Sequence, residues 1–241
     1  MLSDKNSYFG EGQILLFDKP LYWTSFDLVK KVRVIIKNNL NLRNIKVGHA
    51  GTLDPLARGL MILCTGKATK RIADFREMDK EYTAVFQLGM TTPSFDLETE
   101  TDETYPADHI TLEMLERTLT GFLGKQKQIP PVHSAKMIEG RRSYEYARKG
   151  ISKEPEPVTV WFREIELISF SMPEVKIRLL CSKGTYIRSF ARDLGKALNS
   201  GACLTALVRN SIGPYKLENA FSPEKFEKFV REMKQTGNFF V

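Results

Sequence analysis

The chain has 241 residues, of which 42% are hydrophobic and 27% are charged. This length allows one large domain with a full core, and the composition excludes a disordered or a fibrous protein. The first residues lack the basic-then-apolar pattern of a signal peptide, and no apolar run approaches the ~20 residues that span a membrane. We therefore expect a soluble protein of the cytoplasm.

The charge balance is basic, because 36 lysine and arginine residues outnumber 29 acidic residues and give a formal net charge of +7. This suits a polyanionic partner, although many basic proteins bind no nucleic acid. The cysteines Cys64, Cys181 and Cys203 form no C-x-x-C pair, which fits a reducing compartment. The three histidines lie far apart in the sequence, so we expect no metal site.

Hydrophobic periodicity predicts short strands and helices along the whole chain. Residues 13–18 are typical of a strand, and Thr24 or Ser25 is expected to cap a helix. Residues 94–108 are rich in acids and poor in apolar side chains, which predicts a mobile surface loop. The other predicted elements are a short helix from Lys67 to about Phe75, a strand at 81–88, a helix at about 111–122, strands at about 157–170 and 174–181, and a helix near 222–233.

The most informative stretch is residues 48–59, GHAGTLDPLARG, where three glycines and a proline predict a bent loop rather than a helix or strand. Asp54 is the only acid in it, and the apolar run 60–64 that follows predicts a buried strand. A carboxylate on a stiff loop beside a core strand is a candidate reactive group. An Asp-Pro pair among glycines is also the usual composition of a plain turn.

A second stretch, residues 130–153, combines positive charge with aromatic side chains. Six basic residues between Lys136 and Lys153 face only two acids, and Tyr144 and Tyr146 are interleaved with them. Basic side chains can bind phosphates while aromatic rings stack on unpaired bases, which favours RNA. A solvated helix with inward tyrosines explains the pattern equally well.

Residues 48–70, GHAGTLDPLARGLMILCTGKATK, resemble the catalytic motif of the TruB family of tRNA pseudouridine synthases. The resemblance implies that Asp54 is the catalytic residue and that Tyr82, in a K-x-Y pattern, is an active-site tyrosine. Residues 181–195, CSKGTYIRSFARDLG, resemble a further motif of the family. That motif implies that Arg188 pairs with Asp54 and that Tyr186 lines the pocket.

Other family motifs assign further residues to substrate binding. By resemblance, His49 fills the space left by a flipped uridine, and Leu207, in an L-x-R motif, packs at the active site. Lys19 belongs to a D-K-P-x-x-x-T-S motif, in which Tyr22 occupies a position where the family has glycine. The resemblance assigns RNA contacts in the basic stretch to Arg141, Arg142, Tyr144 and Arg148, while Met137 stands where the family has lysine.

The family resemblance implies an α+β pseudouridine synthase fold, with a mixed, largely antiparallel central sheet flanked by helices. We expect one catalytic domain over 1–241 with an RNA-gripping insertion at about 125–157 and no C-terminal PUA domain. The implied enzyme is an isomerase that flips the T-loop uridine at position 55 of tRNA and converts it to pseudouridine with an aspartate nucleophile. It needs no cofactor, metal or protein partner, binds the T-arm and is a monomer.

Two other functions remain open at this point. The chain could be a non-catalytic RNA-binding or tRNA-folding protein, or a guide-dependent synthase that acts on ribosomal RNA. Attack of the aspartate at C1′, attack at C6 and formation of a glycal are all compatible with the residues.

Overall fold

The computed structural model describes residues 4–132, 137–138, 141–142 and 155–236. By its internal contacts the chain divides into two compact units. The first unit comprises residues 1–80 together with 208–241, and the second comprises residues 81–207.

The first unit contains the amino-terminal and carboxy-terminal segments. Its helices are α1 (Asp4–Glu11), α2 (Ser25–Leu40), α3 (Ile72–Glu77) and α6 (Pro223–Thr236), with 3-10 turns at Gly66–Arg71 and Leu217–Asn219. Its strands are β1 (Ile14–Lys19), β2 (Val47–His49), β3 (Ala57–Thr65), residues 208–212 of β12 (Ala202–Ile212) and β13 (Tyr215–Lys216).

Strand β3 is the centre of the first unit's sheet. It pairs antiparallel with β1, from Ile14 opposite Cys64 to Lys19 opposite Gly59, and its carboxy-terminal end also pairs with β2. From Gly59 to Thr65 every residue of β3 is buried. A strand covered on both faces needs apolar side chains on both, and for this reason the run at 60–64 is continuous rather than alternating.

Helix α2 begins where the sequence predicts. The Thr24 side chain accepts a hydrogen bond from the backbone N–H of Asp27, and the Asp27 side chain accepts one from the backbone N–H of Thr24, which forms a capping box. The apolar stripe that includes Leu28 and Val32 is buried. The helix therefore presents a fixed first turn, and Ser25 in that turn is itself buried.

The second unit contains two helices and most of the remaining strands. Its helices are α4 (Leu112–Gly121) and α5 (Ile187–Ala197). Its strands are β4 (Lys80–Leu88), of which residues 81–88 belong to this unit, β5 (Met90–Thr91), β6 (Glu103–Thr104), β7 (Gly124–Gln128), β8 (Met137–Ile138), β9 (Arg141–Arg142), β10 (Val158–Ser171), β11 (Glu174–Cys181) and residues 202–207 of β12.

The sheet of the second unit runs β12–β4–β11–β10–β7, and β10 pairs antiparallel with both β11 and β7. Burial along β4 alternates strictly, which confirms the period of two in the sequence. Phe190 of α5 packs against Phe86, Phe122 and Phe162, with ring centroids 5.0–5.5 Å apart. These rings anchor α5 on the sheet.

The α+β class and the mixed, largely antiparallel sheet are confirmed, while two local predictions are wrong. Residues 48–59 are not all loop, because β2 extends to His49 and β3 begins at Ala57. Residues 94–108 are not simply a surface loop, since Ser94 and Asp96 are buried. Within 4–132 and 155–236, no helix has both the length and the apolar character needed to cross a membrane.

Candidate active site

Asp54 lies in the loop between β2 and β3 and is half-buried. The backbone carbonyl of Asp54 accepts a hydrogen bond of 3.1 Å from the N–H of Ala57, which closes a turn into β3. The preceding residue, Leu53, is held at both backbone groups by Ser25. Its N–H donates to Ser25 Oγ at 2.9 Å, and its carbonyl accepts from the same hydroxyl at 3.0 Å. The first turn of α2 therefore fixes the backbone next to Asp54.

Arg209, on β12, holds the other side of this loop. The residue is 1% exposed. Its guanidinium donates to the carbonyl of Leu60 at 2.7 Å and to the carbonyls of Thr52 and Gly51 at 3.3 Å each. A buried guanidinium that bonds both the loop and the adjacent strand ties the two together, because its donors sit in a rigid fork. The loop geometry thus depends on a side chain far along the chain.

A turn at residues 20–23 packs against the same loop. The backbone N–H of Tyr22 donates to the carbonyl of Pro55 at 2.8 Å, and Tyr22 has a φ of 66°. The fully buried Lys19 closes the turn, since its ammonium donates to the carbonyls of Pro20 at 2.8 Å and Trp23 at 2.6 Å. These contacts show a structural role for Lys19, and its predicted contact with substrate stays a prediction.

Lys19 and His49 have perturbed acid–base behaviour. Burial lowers the pKa of Lys19 to about 8, and the nearby negative charge of Asp54 acts in the opposite direction. Burial also lowers the pKa of His49 below its usual value, and the positive charges of Arg76 and Arg209 lower it further, against a backbone contact with Gly51. The His49 imidazole is therefore neutral at pH 7.

In the second unit, Arg188 lies in the first turn of α5 and is buried with Asp96. Arg188 Nε is 3.6 Å from Asp96 Oδ2, and a terminal nitrogen of the guanidinium donates to the carbonyl of Ser94 at 3.4 Å. The Asp96 carbonyl in turn accepts from the hydroxyls of Thr92 at 2.7 Å and Ser94 at 3.1 Å. This network orients the Arg188 guanidinium, because a buried charge needs a fixed partner.

The segment before α5 is clamped by β7. The Gln128 amide donates to the carbonyl of Tyr186 at 3.1 Å and accepts from its N–H at 2.8 Å. Tyr186 and Leu207 are half-buried, and Tyr82 on β4 is buried at 8% exposure. The structure therefore presents the predicted residues of this unit on fixed backbone.

The predicted RNA-gripping residues lie largely outside the described residues. Arg141 and Arg142 form the short strand β9, which pairs with β8, but only their backbone is described. Tyr144 and Arg148 lie outside the described ranges. No group of three or more histidine, cysteine or acidic side chains suited to a metal ion occurs in the described part of the chain.

Sequence reasoning missed four residues that position the predicted ones, namely Ser25 and Arg209 in the first unit and Asp96 and Gln128 in the second. Arg209 is the final residue of the L-x-R motif, so that motif could have identified it. Asp96 lies in an acidic stretch, in which no pattern distinguishes it from the other acidic residues. Ser25 is the final residue of the D-K-P-x-x-x-T-S motif, so that motif could have identified it too. Neither Ser25 nor Gln128 could be linked to its partner from local sequence, because Ser25 bonds a backbone 28 residues away and Gln128 one 58 residues away.

Solved structures of similar fold cover nearly the whole chain. A chain in "Crystal Structure of a Cbf5-Nop10-Gar1 Complex" matches with a TM-score of 0.72 at 27% identity and covers 97% of this chain. A chain in "Structure of H/ACA RNP bound to a substrate RNA containing 2'-deoxyuridine" matches with a TM-score of 0.67 at 24% identity and covers 98%. This protein spans 59% and 57% of the lengths of those two chains.

Comparison of sequences identifies the family. The model described as "TruB family pseudouridylate synthase (N terminal domain)" matches residues 37–187, so the α+β fold is that of a pseudouridine synthase. A Phocaeicola vulgatus protein named tRNA pseudouridine synthase B is 56% identical over 92% of this chain and 94% of its own length. Proteins of that name from Bacteroides fragilis and Flavobacterium johnsoniae are 54% and 49% identical over 92% of this chain, and the matches cover 95% and 97% of their lengths. The chain belongs to the TruB family.

Proposed function

We propose that this chain converts the T-loop uridine of tRNA, position 55 in the usual tRNA numbering, to pseudouridine, with Asp54 as the nucleophile. Isomerisation of a tRNA uridine is the activity named for relatives that are 56% and 49% identical. One observation carries the role of Asp54, namely that the backbone directly before it is held by Ser25 at Leu53 and by Arg209 at Thr52. A reacting carboxylate needs this fixed geometry, because small displacements cost large factors in rate.

The reaction is an isomerisation and consumes no second reactant. The N1–C1′ bond of uridine breaks, the base turns over, a C5–C1′ bond forms, and the proton lost from C5 is replaced by one gained at N1. The Asp54 carboxylate can attack C1′ or C6, or remove a sugar proton to give a glycal. Each route requires that the base first leave its stack in the folded RNA.

Other side chains have roles that follow from family membership and fit their surroundings. The neutral His49 suits insertion into an RNA stack, because burying an uncharged ring costs less than burying an imidazolium. Arg188 is proposed to hold the carboxylate of Asp54, and Asp96 to orient Arg188. Tyr82 is proposed to stack on the flipped base, with Tyr186 and Leu207 beside it.

The proposal extends to partners and location. The T-arm is gripped by the insertion at about 125–157, through Arg141, Arg142, Tyr144 and Arg148. The enzyme is proposed to be one catalytic domain, monomeric, active without a protein partner and located in the cytoplasm with its tRNA substrate.

Tritium release from a T-arm minihelix labelled as [5-³H]uridine tests the function, since only loss of the C5 proton liberates the label. We expect release by the parent protein and none by Asp54→Asn, with RNA binding retained. Asp74→Asn is the matched control, because Asp74 is an exposed aspartate of the same unit and its replacement changes the net charge equally. A minihelix with cytidine at the target position should release nothing.

Two results would replace the proposed function with another, and a third would remove only the role of Asp54. Tight binding of the RNA without release by the parent indicates the non-catalytic RNA-binding protein. Release that requires an added guide RNA indicates the guide-dependent synthase. An active Asp54→Asn variant, shown by mass spectrometry to be free of deamidation, refutes the nucleophile while keeping the enzyme.

A further inference from the structure

Tyr22 has a backbone conformation that aromatic residues rarely adopt. Its φ of 66° lies in the left-handed region, where the Cβ atom crowds the following carbonyl. Glycine, which the TruB motif has at this position, takes the same conformation without that crowding. This chain therefore carries an aromatic side chain at a position whose backbone conformation favours glycine. A strained residue that persists at the edge of a site is reason to look for a function of its side chain.

Among the described residues, no contact of the Tyr22 side chain offsets this strain. The Tyr22 side chain is 73% exposed, and among the described residues it makes no ring contact and its hydroxyl makes no hydrogen bond. Its neighbours in the same turn and the next helix are also open to solvent, with Leu21 43% and Phe26 62% exposed. The Tyr22 ring is therefore open to contact with a ligand.

The backbone of Tyr22 is fixed to the loop that carries Asp54. Its N–H donates to the carbonyl of Pro55, the residue after Asp54, at 2.8 Å. The Lys19 ammonium bonds the carbonyls of Pro20 and Trp23, on either side of Tyr22. The backbone from which the ring projects is therefore held beside the proposed nucleophile. A ligand that contacts the ring does not have to order this backbone, and pays only for ordering the side chain.

From these observations we propose that Tyr22 is a stacking platform for a nucleobase of the RNA substrate adjoining the flipped uridine, and so helps to select that RNA. The inference rests on the proposed function. Removing one base from a stack leaves its neighbour with an uncovered face, and an exposed aromatic ring can cover it. Stacking needs no hydrogen-bond partner on the ring, in agreement with the bare surroundings of Tyr22.

The test compares Tyr22→Phe, which keeps the ring, with Tyr22→Gly and Tyr22→Asn, which remove it but tolerate the left-handed backbone. T-arm minihelices carry 2-aminopurine at one loop position at a time, and Asp54→Asn is present in every protein so that no turnover occurs. Stacking on an aromatic ring changes 2-aminopurine fluorescence. Leu21→Ala is the control for loss of an exposed apolar side chain from the same turn.

We expect Tyr22→Gly and Tyr22→Asn to weaken binding by about 5- to 150-fold, the range that corresponds to loss of one base–aromatic stack, and to abolish the fluorescence change at one loop position. Tyr22→Phe and Leu21→Ala should behave as the parent. The slope of binding affinity against salt concentration should not change, because no phosphate contact is lost. The melting temperature of Tyr22→Gly should equal or exceed that of the parent, since strain is relieved.

Other outcomes separate this inference from the proposed function. If the parent releases tritium and Tyr22→Gly binds RNA as tightly as the parent, the inference is overturned and the proposed function stands. Equal loss of affinity in Tyr22→Phe and Tyr22→Gly also overturns it, because the aromatic face is then not what binds. A parent that neither binds nor modifies the T-arm overturns both.

Discussion

Replacement of Arg209 by methionine should uncouple the Asp54 loop from the sheet. The change keeps an unbranched apolar stem and removes the donors to Leu60, Thr52 and Gly51. The Leu60 carbonyl is in a buried strand and loses this hydrogen bond at a cost of ~1–3 kcal/mol, whereas the two loop carbonyls can bond to water and lose ~0.5 kcal/mol each. Together these losses lower the free energy of unfolding by about 2–4 kcal/mol.

For a protein of this size that loss lowers the melting temperature by about 5–15 °C. The loop carbonyls next to Asp54 lose their anchor, and a displacement of ~1 Å at a reacting group can reduce kcat about 100-fold. Thermal unfolding gives the melting temperature. Tritium release, measured at a temperature where every variant is folded, gives kcat. Arg209→Lys should recover part of the stability but little of the kcat, because one ammonium cannot bond the strand and the loop together.

Arg58→Met is the control for stability, because Arg58 is an exposed arginine on the same strand as Leu60. A melting temperature and kcat equal to the parent's in Arg209→Met would refute the reasoning as a whole. A lowered melting temperature with an unchanged kcat would refute the positioning of the loop and leave Arg209 as a purely structural residue.

Two further predictions concern other buried charges. Asp96→Asn should lower stability by about 3–5 kcal/mol, since Arg188 loses a buried charged partner, and should leave the RNA affinity unchanged. It should also lower kcat by about tenfold or more, because the Arg188 guanidinium is no longer held in place. Single-turnover rates compared with those of Asp108→Asn, an exposed change on the same segment, check this, and an unchanged rate contradicts it. Lys19 has a pKa of about 8 in the folded protein against 10.5 ordinarily, so the unfolded chain binds more protons between these values. The unfolding free energy of the parent relative to Lys19→Met should therefore rise as the pH is raised from 8 to 10.5 in denaturant titrations; a flat or falling difference contradicts the assignment.

Much of the local structure follows from short-range rules in the sequence. The alternation in 81–88 predicts one buried face, and β4 has it, because successive side chains of a strand point to opposite sides. Thr24 and Asp27 predict the start of α2, because a capping box satisfies the first free N–H groups of a helix. The family motif in 48–70 predicts Asp54 as the catalytic residue through residue identity alone, before any geometry is known.

The support of the site was decided only by tertiary structure. Arg209 lies 149 residues beyond the Leu60 carbonyl that it bonds, and Ser25 lies 28 residues before Leu53, so no local pattern could connect them. Asp96 lies in an acidic stretch that predicts a mobile loop, yet it is buried because Arg188 provides a positive partner from α5. The composition of a segment determines whether its side chains favour exposure to water or burial when the segment is considered by itself. A charged partner that the fold brings close can make burial of an acidic side chain favourable, because it pairs with a charge that would otherwise stay solvated.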